Sequence, residues 1–285
     1  MHLKSVIRGV IEKHWVLYWI VFFSRYTIEI LSAKRLIIVS TPGHVGSSTL
    51  FESLKSCKWE LGTRIYDIHS LDEKRNRINL TARHVLQDTL RILLRLNWVG
   101  CKIDVITLAR DPIARALGAV FQNKSMFYPA LNEEIDDNRF GEQLLHLKEN
   151  MLQSGYLLDT VNWQVSFYTE EIKNHFKISF SPVRNEYGFY QKKNKRSYSI
   201  LTLEDLEKDM AFFFKKYFNV TPILRTKNTN EKRGGANVLF YKYCKQNLRF
   251  SKEIVDKIYS MQFFKDVYGE ERVENFKAQW LESGE

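Results

Sequence analysis

Arg35-Leu36-Ile37-Ile38-Val39-Ser40 runs directly into Thr41-Pro42-Gly43-His44-Val45-Gly46-Ser47-Ser48-Thr49, and this junction decides the fold. The first six residues are a short β-branched run ending at turn residues, the pattern of a parallel strand buried on both faces. The next nine can turn tightly at Gly43 and Gly46, offer hydroxyls at Ser47, Ser48 and Thr49, and lead into a helix predicted over Thr49–Cys57. Strand, glycine turn and helix N-terminus together form a cup of backbone N–H groups backed by the positive end of a helix dipole, which favours phosphate. A plain strand–turn–helix connection with serine as N-cap reads the same way. The commoner nucleotide loops are excluded. G-x-x-x-x-G-K-[ST] requires a lysine where Ser47 stands, and G-x-G-x-x-G is absent.

Outward from this junction, Arg64–Ser70 and Lys102–Leu108 read as further strands. Leu80–Leu96 places Val85, Leu86, Leu90, Leu93 and Leu94 at helical spacing, and another helix follows from Ile113. Strand alternating with helix predicts an α/β fold: a P-loop-like central parallel sheet flanked by helices. Residues 123–160 turn polar and acidic and are expected to form a helical insertion or lid. Val161–His175 reads as an amphipathic helix, Phe176–Tyr198 as short-stranded and basic, and Ser199–Leu203 as a strand before a helix opening at Glu204. Val238–Trp280 is expected to be a helical C-terminal tail. The predicted organisation is an amphipathic, aromatic helix within residues 1–34, then one α/β domain over 35–285.

The N-terminal run Trp15–Phe23 is unbroken and apolar, and Trp15, Tyr18, Trp19, Phe22, Phe23 and Tyr26 recur at helical spacing. At ~1.5 Å per residue the run covers roughly half a bilayer core, and no small-x-small cleavage site follows it. A helix packed on the core by its ring stripe is expected; peripheral membrane contact through residues 14–26 is the alternative.

The net charge of +10 over 285 residues favours anionic partners. It is spread along the chain without a nucleic-acid motif, so no nucleic-acid partner is expected. Cys57, Cys101 and Cys244 are odd in number and lack C-x-x-C spacing, so neither a disulfide framework nor a zinc site is expected. A reducing, cytoplasmic setting is expected, membrane-associated if the N-terminal helix meets lipid.

At the end of the third predicted strand stands Arg110-Asp111-Pro112, followed by Ile113 to Asn123. An arginine there lies at the crevice where open α/β sheets bind ligands, and its guanidinium can fork onto phosphate. An Arg110–Asp111 pair closing a turn is the competing reading.

The two segments together resemble the sulfotransferases that use 3′-phosphoadenosine 5′-phosphosulfate (PAPS). More narrowly, the chain is similar to the bacterial capsular polysaccharide synthesis family. The likeness runs through Gly43-His44-Val45-Gly46-Ser47-Ser48, Asp67-Ile68-His69 and Arg110–Asn123. It continues through Trp163, Phe167, Glu171-Ile172, Ile200–Leu206 and a tail ending near Trp280, covering roughly residues 35–280. The resemblance implies that Gly43, Val45, Gly46, Ser47, Ser48 and Thr49 hold the 5′-phosphosulfate. Arg110 and position 118 would hold the 3′-phosphate, with Arg233 and Gly234 as a basic-glycine cover. It implies PAPS as donor, no metal, and a carbohydrate acceptor such as a capsular or surface polysaccharide.

His44 stands where the family usually carries a lysine that contacts the leaving phosphate, and Gly118 where a serine is common. Thr202 stands where relatives often have arginine. His44 can act as neutral donor or cation, and a dianionic donor would favour its charged form. His69 at a strand end is the expected base, with Asp67 on the same strand face to orient or replace it. His84, His146 and His175 fall on predicted helices and are read as structural. The basic stretch Arg184–Arg196, with Tyr187, Phe189, Tyr190 and Tyr198, is expected to line the acceptor cleft. Two rival functions remain: a catalytically weakened relative that binds nucleotide or anionic glycan, and an atypical nucleotide or sugar kinase.

Overall fold

The computed structural model describes residues 15–43, 45–68, 71, 81–122, 139–178, 184–185, 188–225 and 236–282. His44, His69, Tyr187, Arg233 and Gly234 lie outside the described residues, as does much of the expected insertion over 123–138.

The predicted α/β architecture is present, with a mostly parallel central sheet covered by helices on both faces. Strands β1 (Arg35–Ser40), β2 (Thr63–Ile68), β3 (Lys102–Ala109), β4 (Arg184–Asn185), β5 (Gly188–Lys193) and β6 (Arg196–Thr202) assemble in the order β2-β1-β3-β6-β5-β4. β2, β1, β3 and β6 run parallel; β5 returns antiparallel to β6, and the two-residue β4 closes that edge. β1 is fully buried along its length, as its β-branched run requires. After β1 the chain steps outward to β2, then returns to place β3 on β1's other side. The strand order therefore reverses between β1 and β3.

Alternate residues of each strand feed two cores. On one face, Ile37, Val39, Ile106 and Leu201 pack against Leu50 and Leu54 of α2 (Ser47–Lys55) and Met210, Phe213 and Phe214 of α8 (Leu206–Phe218). On the other, Leu36, Ile38, Ile103 and Val105 meet α1 (Trp15–Leu31), α3 (Ala82–Arg95) and α4 (Pro112–Gln122). That larger core continues through α5 (Phe140–Gln153), α6 (Tyr156–Ser166), a π-helical turn over Phe167–Glu171, and α7 (Ile172–Phe176). The expected helical tail is α9 (Ala236–Asn247), α10 (Lys252–Tyr259), α11 (Gln262–Tyr268) and α12 (Glu270–Trp280).

Several boundaries move. α2 starts at Ser47, two residues before the expected Thr49, because Gly46 in the left-handed region (φ 83°) serves as its N-cap. The strand expected from Ser199 begins at Arg196, where it pairs with Lys193 to close the β5–β6 hairpin. The helix expected over Val161–His175 is wound loosely in the middle, at Phe167–Glu171.

The N-terminal helix packs on α3. Tyr18 is buried, and Tyr26 meets Tyr66 edge-on at 6.4 Å. No helix among the described residues is long and apolar enough to cross a membrane.

Candidate functional site

The segments singled out by sequence meet at the C-terminal edge of the sheet, where β1 ends in the glycine loop and β3 ends in Arg110. These ends flank the strand-order reversal, the place where open α/β sheets form a ligand crevice. Gly43 (φ 75°) and Gly46 both occupy the left-handed region, and a Cβ on Gly46 would come within 2.8 Å of Leu203 Cδ1. Both the left-handed backbone and that close approach favour glycine there. Val45 is fully buried and pins one side of the loop into the α2–α8 core. Thr49 N–H and Leu50 N–H both donate to Gly46 O, and no side chain caps the helix. The N–H groups of Ser47 and Ser48 precede these intrahelical donors, as a phosphate cup requires.

The loop's other side is held by a residue to which sequence reading gave no role. Arg115 is 2% exposed, and its guanidinium donates to Pro42 O (2.8 Å), Gly43 O (3.2 Å) and Thr160 O (3.2 Å) while lying 4.9 Å above the Trp163 ring. Burial lowers its pKa to about 10, which leaves it a cation at neutral pH. This buried charge has carbonyl dipoles and a π-face as its counterpart, with no carboxylate among these contacts. A sequence signal was available: Arg115 is the single charged residue in the helix PIARALGAVFQ.

Arg110 is half-buried and donates from Nη2 to Tyr241 Oη at 3.1 Å. It lies directly over Gly118, whose added Cβ would stand 3.0 Å from Arg110 Nη1. Glycine at position 118 thus leaves room for the guanidinium to lie against α4. The Arg110 charge acts on the Asp111 carboxyl without a direct ion pair between them among the described residues. Asp111 instead turns inward, accepting from Ala114 N (2.6 Å), Tyr259 Oη (2.6 Å) and Trp280 Nε1 (3.1 Å). Asp111 N–H donates to Glu204 Oε1 at 2.8 Å. Burial pushes both carboxyls above their ordinary range, against the pull of these donors. Gln164 Nε2 donates to Arg110 O and Tyr168 Oη to Leu108 O, so α6 and the π-turn fix the end of β3.

Asp67 is bound by Arg83 of α3, which reaches its carboxylate at 2.6 Å and its backbone carbonyl at 3.2 Å. Burial raises the Asp67 pKa, and the Arg83 charge opposes the shift. Leu71 N–H donates to Glu171 Oε1 of the π-turn at 2.5 Å, which anchors the chain two residues after His69. Thr202 Oγ1 donates to Asp205, which also pairs with Arg272 of α12, so an arginine reaches this turn from the tail. Of the other histidines, His84 Nδ1 accepts from Thr81 N in a capping box, His146 is exposed on α5, and His175 is buried on α7.

The expected acceptor cleft is corrected. Phe189 and Tyr198 are buried in the core, and Tyr190 stacks on Tyr217 at 4.2 Å. Lys192, Lys193 and Arg196 lie where the hairpin turns, beside Ile103 at the start of β3 and so at the opposite end of the sheet from Arg110. The alternation of β5 and β6 sends these rings to the two cores.

Compared with protein-family models, curated proteins and solved structures, the chain has no match.

Proposed function

We propose that this chain is a nucleotide-binding α/β transferase with a P-loop-like donor site, and specifically a sulfotransferase that moves a sulfuryl group from PAPS to a carbohydrate hydroxyl. The observation that carries the reading is the pairing of an uncapped glycine loop and a guanidinium at the two strand ends flanking the order reversal. The loop N–H groups with Ser47, Ser48 and Thr49 would hold the 5′-phosphosulfate. Arg110 above Gly118 would take the 3′-phosphate, and Arg233 with Gly234 would cover it.

In the step itself, the acceptor oxygen forms a bond to sulfur as the bond from sulfur to the 5′-phosphate oxygen breaks. The electron pair leaves with adenosine 3′,5′-bisphosphate, and the acceptor proton passes to a base. Positioning and stabilisation of the leaving phosphate supply the catalysis. His69 is the proposed base, and His44 the group facing the leaving phosphate. The hold of Arg83 on Asp67 favours an orienting role for that carboxylate over proton transfer.

Transfer of labelled sulfuryl from PAPS to acidic and neutral polysaccharides tests the catalytic half. The wild type is expected to label an acceptor, and His44→Lys to do so faster. Bisphosphate binding with no transfer by either protein would instead establish a weakened binding relative, the reading that the His44 substitution favours.

A further inference from the structure

At the opposite end of the sheet, the loops leading into four parallel strands present a different chemistry. Lys34 precedes β1, Leu61 precedes β2, Trp98 precedes β3 and Lys195 precedes β6. Leu61 is 90% exposed and Trp98 61% exposed. An open cleft of about 740 Å³ here is lined by Leu31, Lys34, Trp98, Lys102, Lys192 and Lys195 among others, and no lining residue is acidic. Lys195 Nζ donates to Gly100 O and Arg196 Nη2 to Asn97 Oδ1, which ties the hairpin to the Trp98 loop.

Leu31 also ends an uncharged stripe on α1. Leu17, Ile20, Val21, Ser24, Ile28 and Leu31 recur at three- and four-residue spacing, and all are exposed; Ile28 is 68% exposed. The rings from Tyr18 to Tyr26 take the less exposed positions of the helix, and the aliphatic side faces outward over about 21 Å from Leu17 to Leu31. An exposed aliphatic stripe continuous with a lysine-lined, tryptophan-bearing cleft combines apolar contact, an interfacial ring and positive charge.

We propose that α1 and the N-terminal edge of the sheet form a docking surface for an anionic lipid bilayer. The aliphatic stripe enters the acyl boundary, Trp98 sits at headgroup level, and Lys34, Lys102, Lys192 and Lys195 face the lipid phosphates. Their charge selects a bilayer over a second copy of this basic chain, whose own lysines would repel them. This surface stands independently of the nucleotide reading.

Sedimentation of the full chain with phosphatidylcholine vesicles, with and without about one-third phosphatidylglycerol, tests it. Binding is expected to the anionic vesicles only and to weaken with salt. Lys34→Glu/Lys192→Glu/Lys195→Glu should weaken it roughly a hundredfold, and Leu17→Ser/Ile20→Ser/Ile28→Ser at least tenfold. Wild-type melting temperatures in both variants would show that the fold is retained. Absence of vesicle binding at low salt, equal binding to neutral vesicles, or full binding by either variant would overturn the proposal. So would a solution dimer broken by the serine substitutions, which would assign the face to a second copy.

Discussion

The two ends of the sheet use positive charge in opposite ways. At the C-terminal edge, Arg115 is sequestered and spends its hydrogen bonds on loop carbonyls, while Arg110 is braced against Tyr241 and Gly118. At the N-terminal edge, lysines on long stems line an open cleft beside an exposed tryptophan. A guanidinium with a fixed fork suits one bound phosphate of defined geometry; ammonium groups on flexible stems suit a diffuse anionic surface. Scaffolding separates a built site from a charged face.

The largest effect should come from breaking that scaffolding. Arg115→Ala leaves the Pro42, Gly43 and Thr160 carbonyls without their donor in a buried place. The expected cost is on the order of 3 kcal/mol or more of stability, with loss of nucleotide binding. Arg115→Lys should recover only part of either, because one ammonium cannot reproduce the fork. Denaturant unfolding and nucleotide titration of both variants measure this, and unchanged nucleotide affinity in Arg115→Ala would show that the loop does not depend on its anchor. Charge reversal of the lysines at the other edge should leave stability and nucleotide binding unchanged.

The smallest effect concerns pH. Burial holds the Glu204 carboxyl above its ordinary value of 4.5, so the folded protein retains a proton that the unfolded chain has released. This carboxyl therefore costs stability progressively as pH rises from 4.5 through its raised folded value, and the full cost persists above that. Glu204→Gln keeps an acceptor for Asp111 N–H and removes the charge. Its melting temperature relative to wild type should rise as pH climbs above 4.5; a constant difference would remove Glu204 from the account.

Much of the fold was legible because its signals are local. Arg35–Ser40 and Lys102–Leu108 are β-branched runs that can be buried only as central strands, and their placement matches to within a residue. The glycine loop was legible because Gly43 and Gly46 mark left-handed backbone. The contacts of Asp111, Glu171 and Glu204 were hidden because their partners lie 90 or more residues away, at Tyr259, Leu71 and Asp111. Arg184–Arg196 misled because a strand alternates. Its aromatics and basic residues are neighbours in sequence, but they separate between two cores and the hairpin end. On α1 the rings from Tyr18 to Tyr26 occupy the less exposed positions, and the membrane contact considered for residues 14–26 would fall on the aliphatic positions, which helical spacing alone did not single out.

The central claim is that Arg110 and the glycine loop grip one nucleotide from two strand ends. Calorimetric titration of adenosine 3′,5′-bisphosphate, without Mg²⁺, into wild type and Arg110→Ala tests it most directly. The wild type should bind without metal, and Arg110→Ala should bind about 10- to 100-fold more weakly, the worth of charge-assisted hydrogen bonds to phosphate, with a melting temperature close to wild type. No binding by the wild type, or binding of ATP only in the presence of Mg²⁺, would contradict the account and point to a kinase.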